Sequence, residues 1–367
     1  MNFPSTDPIP IPAPVWLMKL LSLVTLALHF AAVMILVGSL VLVIFHSLKG
    51  KDAVHHRAAA VLARRLPTTM TFVINLGVPP LLFLQVLYGR AVYTSSVLIA
   101  VFWISIIFQL MLAYWLLYRT QVALEKGKAA WIPALISLIV VFSIGQVYAW
   151  NMTLMLRPEV WQEMYANSPQ GLQSAKGDPT MAPRLLFVLT GGLVFGGLWA
   201  LVHSTLKHLP DAVKTVLAKS GGLMALLGGV IQLVCGYMVV SSQNEAVRSG
   251  LGANPLTNIG MYLTIAGLLV AALIAGFQGF KGKATFLIAL IGSVFAFLGN
   301  AGAVIVRDGI RDLTLKPKGL DVWDRIEASN WSVIGVFLLL FVIMIGVIIW
   351  LLRVMAQATP PQEETAI

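Results

Sequence analysis

Charge and cysteine are what this sequence has least of. Only 11% of its 367 residues are Asp, Glu, Lys or Arg, against 58% hydrophobic, and that balance excludes a soluble core of this length. A single cysteine excludes an internal disulfide, a C-x-x-C-H haem attachment and a four-cysteine iron–sulfur site. Neither covalent haem c nor an iron–sulfur cluster is therefore expected. Cys235 lies inside an apolar run and reads as a small core residue. The first apolar run has no basic segment before it, only "MNFPSTDPIPIPAP", and no small-residue cleavage site after it. It is expected to remain as a helix and not to be removed as a signal peptide.

What is present is a series of apolar runs, each near the roughly 20 residues that a membrane helix needs. They fall at about 15–47, 67–89, 95–122, 130–154, 184–206, 216–241, 256–280, 284–306 and 331–355. With the N-terminus outside, the inner loops hold 14 basic residues against five acidic ones, while the outer segments hold ten of each. Short cytoplasmic loops retain Lys and Arg, so the net charge of +10 is a topology signal and not a nucleic-acid patch. The expected fold is an all-α integral membrane protein, a bundle of about nine transmembrane helices with the N-terminus outside and the C-terminus cytoplasmic. Residues 1–14 form an extracytoplasmic segment and 15–355 a single helical domain with outer loops at about 155–183, 242–255 and 307–330. Residues 356–367 form a cytoplasmic tail.

Within the loops and runs several features predict local structure. Val160, Trp161, Met164 and Tyr165 give the 155–183 loop an amphipathic start suited to the headgroup region. The glycines of "GGLVFGGLWA" and "GGLMALLGG" predict close helix–helix approach. Pro79-Pro80 predict a kink in the second helix, with Asn75 as a donor for the freed carbonyls.

No Asp or Glu lies near the middle of any run, which disfavours a proton pump or an ion-coupled carrier. Nor are there the paired, interrupted helices of inverted repeats, so a transporter is the least favoured class. The polar residues at depth are His29, Asn75, Gln85, Gln109, Gln146, Asn151, His203, Gln232 and Asn300, and most read as interhelical hydrogen-bonding groups. His29 stands at a helix centre, beyond the reach of water. It is either a haem ligand or a histidine bonded to a neighbouring helix. His46, His55, His56 and His208 read as solvated residues of the cytoplasmic flank. Arg307 and Arg311 are one helical turn apart, each followed by an aspartate. They form either a salt-bridged helix end or a pair of fixed cations for a cofactor carboxylate, a quinone oxygen or an acidic partner.

The order of these features resembles subunit I of cytochrome bd quinol oxidase. The resemblance covers most of the chain and rests on "LVTLALHFAAVMILVGSLVL", "INLGVPPLLFLQVLYG", "AWNMTLMLRP" and "RLLFVLTGGLVFGG". It implies a quinone as partner molecule and a haem b on His29, whose iron that residue would ligate. Arg307 and Arg311 would contact quinone or haem propionates, and Gln85 and Asn151 are further cofactor-binding candidates. The departures are as informative. Phe187 stands where the family has a histidine ligand, "SSVLIAVFWISIIFQ" lacks the family's glutamate, "VRDGIRD" replaces its Gly-Arg-Gln-Pro turn, and the loop at about 242–255 is short. Oxygen reduction by the chain alone is therefore not expected.

The function expected is that of a membrane subunit of a respiratory electron-transfer complex in the bacterial cytoplasmic membrane. It would interact with the quinone pool and couple to, or anchor, a periplasmic partner such as a c-type cytochrome. Its partners would be lipid and the other subunits of that complex, with no nucleic acid. A redox-inactive scaffold subunit is the alternative.

Overall fold

The computed structural model describes residues 10–49 and 52–357. Lys51, Glu363, Glu364, most of the 1–14 segment and most of the 356–367 tail lie outside the described residues. Within them, nine helices are long and apolar enough to cross a membrane; the chain is an all-α, multi-pass membrane protein.

Helix α1 (Val15–Leu48) is followed by the short α2 (Ala53–Ala63), which runs after a turn into α3 (Leu66–Leu98). Next come α4 (Ala100–Glu125) and α5 (Trp131–Leu154), then the small α6 (Trp161–Asn167) and the spanning α7 (Met181–Ser204). Helices α8 (Asp211–Ser241), α9 (Glu245–Ala253), α10 (Pro255–Lys281), α11 (Phe286–Leu315) and α12 (Trp331–Gln357) complete the chain.

Several boundaries differ from the sequence pattern. Helix α3 does not end near residue 89 but continues to Leu98. The polar "YTSS" stretch does not stop it, because Thr94 and Ser96 donate to carbonyls of their own helix, Arg90 O and Val92 O, both at 2.7 Å. The prolines do not mark the irregularity in this helix: its non-helical dihedrals fall at Tyr88 (φ −127°, ψ 29°). Asn75 donates to Thr71 O at 2.8 Å, one turn before the carbonyls of Asn75 and Leu76 that the prolines leave without donors. Helix α11 carries on to Leu315, well into the expected 307–330 loop, and the expected 242–255 loop contains α9. Trp161 and Met164 pack on the buried group formed by Leu98, Ile99 and Leu154, as an amphipathic segment should, and Trp161 Nε1 donates to Leu154 O at 2.8 Å.

Small residues set the core. A methyl group on Gly38 of α1 would overlap the Gly192 carbonyl of α7, and one on Gly197 of α7 would overlap the Gly221 carbonyl of α8. The backbones touch there as small-residue interfaces require, which brings α1, α7 and α8 together. At one end of the bundle, residues 316–330 fold over the helix tips. Ile11 N donates to Ile326 O at 2.8 Å, Ala328 N donates to Ile11 O at 2.9 Å, and Glu327 accepts from Val15 N at 2.8 Å. Leu315, Leu320 and Val322 bury against Leu17, Leu21 and Leu87 beneath this cover. Helix α12 stands at the periphery, with Val336, Leu339, Leu340 and Val342 exposed.

At the opposite end His46 is fully buried, not solvated as its flank position suggested. Helix α2 folds back over α1, so that His46 Nδ1 meets His55 Nδ1 at 2.9 Å while its Nε2 lies 3.1 Å from Ser220 Oγ.

Candidate functional site

His29 stands on the inner face of α1 against α3. Its Nδ1 is 3.0 Å from the Val73 carbonyl. A carbonyl only accepts, so Nδ1 carries the proton and Nε2 keeps its lone pair. The contact with α3 depends on Gly77, where a Cβ would lie 2.9 Å from His29 Cε1. The ring lines a cavity of about 340 Å³ whose wall also includes Gly77, Tyr148, Arg184, Arg307 and Arg311. The imidazole and the two arginines singled out in the sequence thus share one cavity.

Neither aspartate bonds the arginine that it follows. Lys19 of α1, only 5% exposed, holds Asp308 at 2.8 Å and Asp312 at 2.6 Å. Its ammonium also donates to Tyr88 Oη at 2.6 Å, and Tyr88 in turn donates to Asp312. Arg311 donates to Asp308 at 3.2 Å and lies 4.9 Å from the Tyr88 ring. Desolvated charges persist only when paired and hydrogen-bonded, and this cluster supplies both. Arg184 is likewise engaged: it donates to Thr180 Oγ1 at 2.6 Å and to Thr153 Oγ1 at 3.1 Å, with Asp178 at 3.8 Å. Arg307 differs. Its guanidinium stacks over Phe30 at 5.7 Å and, among the described residues, takes no hydrogen bond or ion pair, leaving its fork free toward the cavity.

A second cavity, of about 310 Å³, adjoins the first between α7, α8, α10 and α11. Phe30, Met152, Arg184, Val188, Arg307 and Arg311 line both and so form the wall between them. Phe187, Gln232 and Asn300 belong to the second cavity alone.

Gln85 and Asn151 line neither cavity. Asn151 is fully buried and ties α5 to α3, accepting from Ser95 Oγ at 3.1 Å and donating to Ser96 Oγ at 2.8 Å. Cys235 is buried and free. Among the described residues no three His, Cys, Asp or Glu side chains group as a bare metal site would need; a haem, which brings its own ligand nitrogens, would need only His29 from this cavity. The first cavity suits that group: an imidazole nitrogen with an available lone pair, a glycine beside the ring, and an uncommitted guanidinium on the same wall for a carboxylate. The second offers no imidazole or thiolate, and Phe187 in its wall cannot ligate iron.

No protein-family model matches the chain, and no curated protein does. Among solved structures, a chain of the bd oxidase from Geobacillus thermodenitrificans matches with a TM-score of 0.72 at 12% identity, over 96% of this chain and 100% of that one. The fold is that of a bd oxidase chain. At so low an identity the likeness is one of architecture.

Sequence reasoning did not find Lys19. A lone lysine near the start of an apolar helix looks like an interfacial anchor. Arg184, at the mouth of its run, lines both cavities, and a guanidinium at that position is the one signal of it in the sequence.

Proposed function

We propose that the chain is a membrane subunit of a respiratory electron-transfer complex, holding a haem b on His29 and exchanging electrons with the quinone pool. One observation carries this reading: His29, whose Nδ1 is the nitrogen bonded to Val73 O, and Arg307, whose guanidinium has no hydrogen bond or ion pair among the described residues, line the same cavity. A haem bound there would supply one-electron chemistry inside the membrane. His29 would ligate through Nε2, and the Val73 carbonyl fixes the ring and raises its basicity through Nδ1. Arg307 would take a propionate. Asp308 is bonded by Lys19 and Arg311 and Asp312 by Lys19 and Tyr88, so neither carboxylate bonds Arg307. The bd-type fold supports the same reading.

Orientation follows from the basic inner loops: N-terminus outside, C-terminus cytoplasmic. The end covered by residues 316–330 then faces outward, where a periplasmic redox partner such as a c-type cytochrome would dock. Reporter fusions to the two chain ends test this; the same side for both would overturn it. The decisive experiment for the function is the visible spectrum of the purified chain. A Soret band with a sharp reduced α band, lost in His29→Ala, is expected, with no quinol-dependent oxygen uptake. A colourless chain purified from haem-replete cells would remove the haem and leave the scaffold reading.

A further inference from the structure

We infer that the second cavity is a site for a long-chain carboxylate, a fatty acid whose head is held by Arg307 and whose chain follows the apolar wall out between α8 and α10. The inference needs neither a haem at His29 nor a quinone.

Charge balance points to an anion. Among the described residues Lys19 is bonded to Asp308 and Asp312, Arg311 is bonded to Asp308, and Arg184 stands 3.8 Å from Asp178. With Arg307, four cations of this region meet three carboxylates, and the cation left without a counter-charge is Arg307. A guanidinium keeps its charge in apolar surroundings, and a charge there is stable only when paired. Arg184 and Arg311 stand in the same wall. Their printed partners do not exhaust the five N–H groups of each guanidinium, so both can support the anion that Arg307 holds.

The cavity itself says what carries the anion. Tyr237 and Ile265 line it and are 75% and 54% exposed on the lipid-facing surface of the bundle, so the ligand enters from the bilayer. Tyr237 lies four residues from the end of α8 at Ser241, and Arg307 eight from the end of α11 at Leu315. At 1.5 Å per residue these are depths of about 6 and 12 Å, so the cation lies below the level of the mouth. A phosphodiester lipid would have to bring the rest of its polar headgroup to that depth. Apart from the arginines, the buried amides of Gln232 and Asn300, and Tyr237 at the mouth, the wall offers that headgroup only Thr264, whose hydroxyl donates to Gly260 O at 2.8 Å. A fatty acid brings one negative charge, two oxygens that match the guanidinium fork, and a chain for the apolar lining. Because Arg307 stands in the wall between the cavities, a haem propionate in the first and a fatty carboxylate in the second compete for one guanidinium.

The test is equilibrium binding of palmitate to the purified full chain in phosphatidylcholine nanodiscs, at about pH 8.5, above the ordinary carboxyl range. Hexadecanol supplies the same chain without the charge, and phosphatidylglycerol supplies an anionic diacyl lipid. Palmitate is expected to bind ~10-fold or more tightly than either. Arg307→Leu should weaken palmitate binding ~10-fold and leave hexadecanol binding unchanged. His29→Ala, which removes the haem and its competing propionate, should bind palmitate at least as tightly as wild type. Palmitate selectivity in a colourless chain would therefore sustain this site while removing the haem. Equal affinity for palmitate and hexadecanol overturns the inference, and so does wild-type palmitate affinity in Arg307→Leu. Tighter binding of phosphatidylglycerol than of palmitate also overturns it and gives the cavity to a lipid headgroup. Should Arg307→Leu fail to fold, the three-ligand comparison on the wild-type chain decides alone.

Discussion

Lys19 Nζ of α1 meets Asp312 Oδ2 of α11 at 2.6 Å, and through this contact the first and eleventh helices share one buried ion cluster. Removing one partner from such a cluster leaves uncompensated charge, at a cost of about 3–5 kcal/mol. Lys19→Met is expected to destabilise the chain by that order, read by thermal or denaturant unfolding in a defined detergent. Adding Asp312→Leu should restore part of the loss, because it removes one of the stranded carboxylates. A Lys19→Met variant as stable as wild type would show that the cluster is solvated.

That cluster also marks the limit of what the sequence discloses. The nine apolar runs name the nine spans found among the described residues, since length and composition alone decide whether a helix can cross a bilayer. The pair Lys19–Asp308 joins residues 289 positions apart, and no local periodicity carries that distance. His29, Arg307 and Arg311 were legible because ionisable groups in apolar surroundings are conspicuous; the partner of His29, a backbone carbonyl at Val73, was not, because every residue has one. His46 misled for a related reason. Its solvent is removed by α2, whose fold-back onto α1 is a tertiary event.

Gly77 is the second point at which the site is open to test. A Cβ there would lie 2.9 Å from the His29 ring, closer than a side-chain methyl ordinarily stands, and α3 backs it. Gly77→Ala should push the imidazole from the Val73 carbonyl and change its orientation toward the cavity. The expected result is reduced haem content in the purified chain, with unfolding shifted by about 1–3 kcal/mol as for other overpacked positions. Unchanged content and unchanged spectrum would show that the ring does not need this glycine.

The cover over the loop-rich end has its own pH dependence. Burial pushes the Glu159 carboxyl up, but its backbone hydrogen bond, Lys318 and Arg157 outweigh that and hold it below its ordinary value. Asp321 is pushed up by burial and held down more strongly by Lys316 and the Trp323 amide. A carboxylate whose value is lowered by folding stabilises the fold above its unfolded value and loses that contribution as pH falls through the folded one. Hydrogen exchange in residues 316–330 should therefore be pH-independent near neutrality, after correction for intrinsic rates. Protection should be lost as pH drops below about 4. Glu159→Gln should abolish the part due to Lys318, whose ammonium lies 3.0 Å from Glu159. Constant protection down to pH 3 would refute the assignment.

Arg307 and Arg311 stand one turn apart on α11 and are expected to respond differently to the same substitution. Arg311 donates to Asp308 and is 6% exposed, so it belongs to the ion cluster; Arg307 stacks on Phe30 and keeps its fork free. Replacing an arginine by lysine keeps the charge and removes the planar, bidentate geometry. Arg311→Lys should thus reach the fold first, lowering stability by about 1–3 kcal/mol through a disturbed charged hydrogen bond. Arg307→Lys should leave unfolding within about 0.5 kcal/mol of wild type and instead weaken retention of a bound carboxylate-bearing cofactor, seen as loss of haem during dilution. If a haem is held as proposed, Arg307→Leu would remove a positive charge from beside it and lower its midpoint potential on the order of 59 mV, the one-electron equivalent of a tenfold change, because the oxidised, more positive form is then the less disfavoured. If Arg307→Lys unfolds the chain and Arg311→Lys spares it, the division of labour between the two guanidinium groups is reversed and Arg307 is part of the structural cluster.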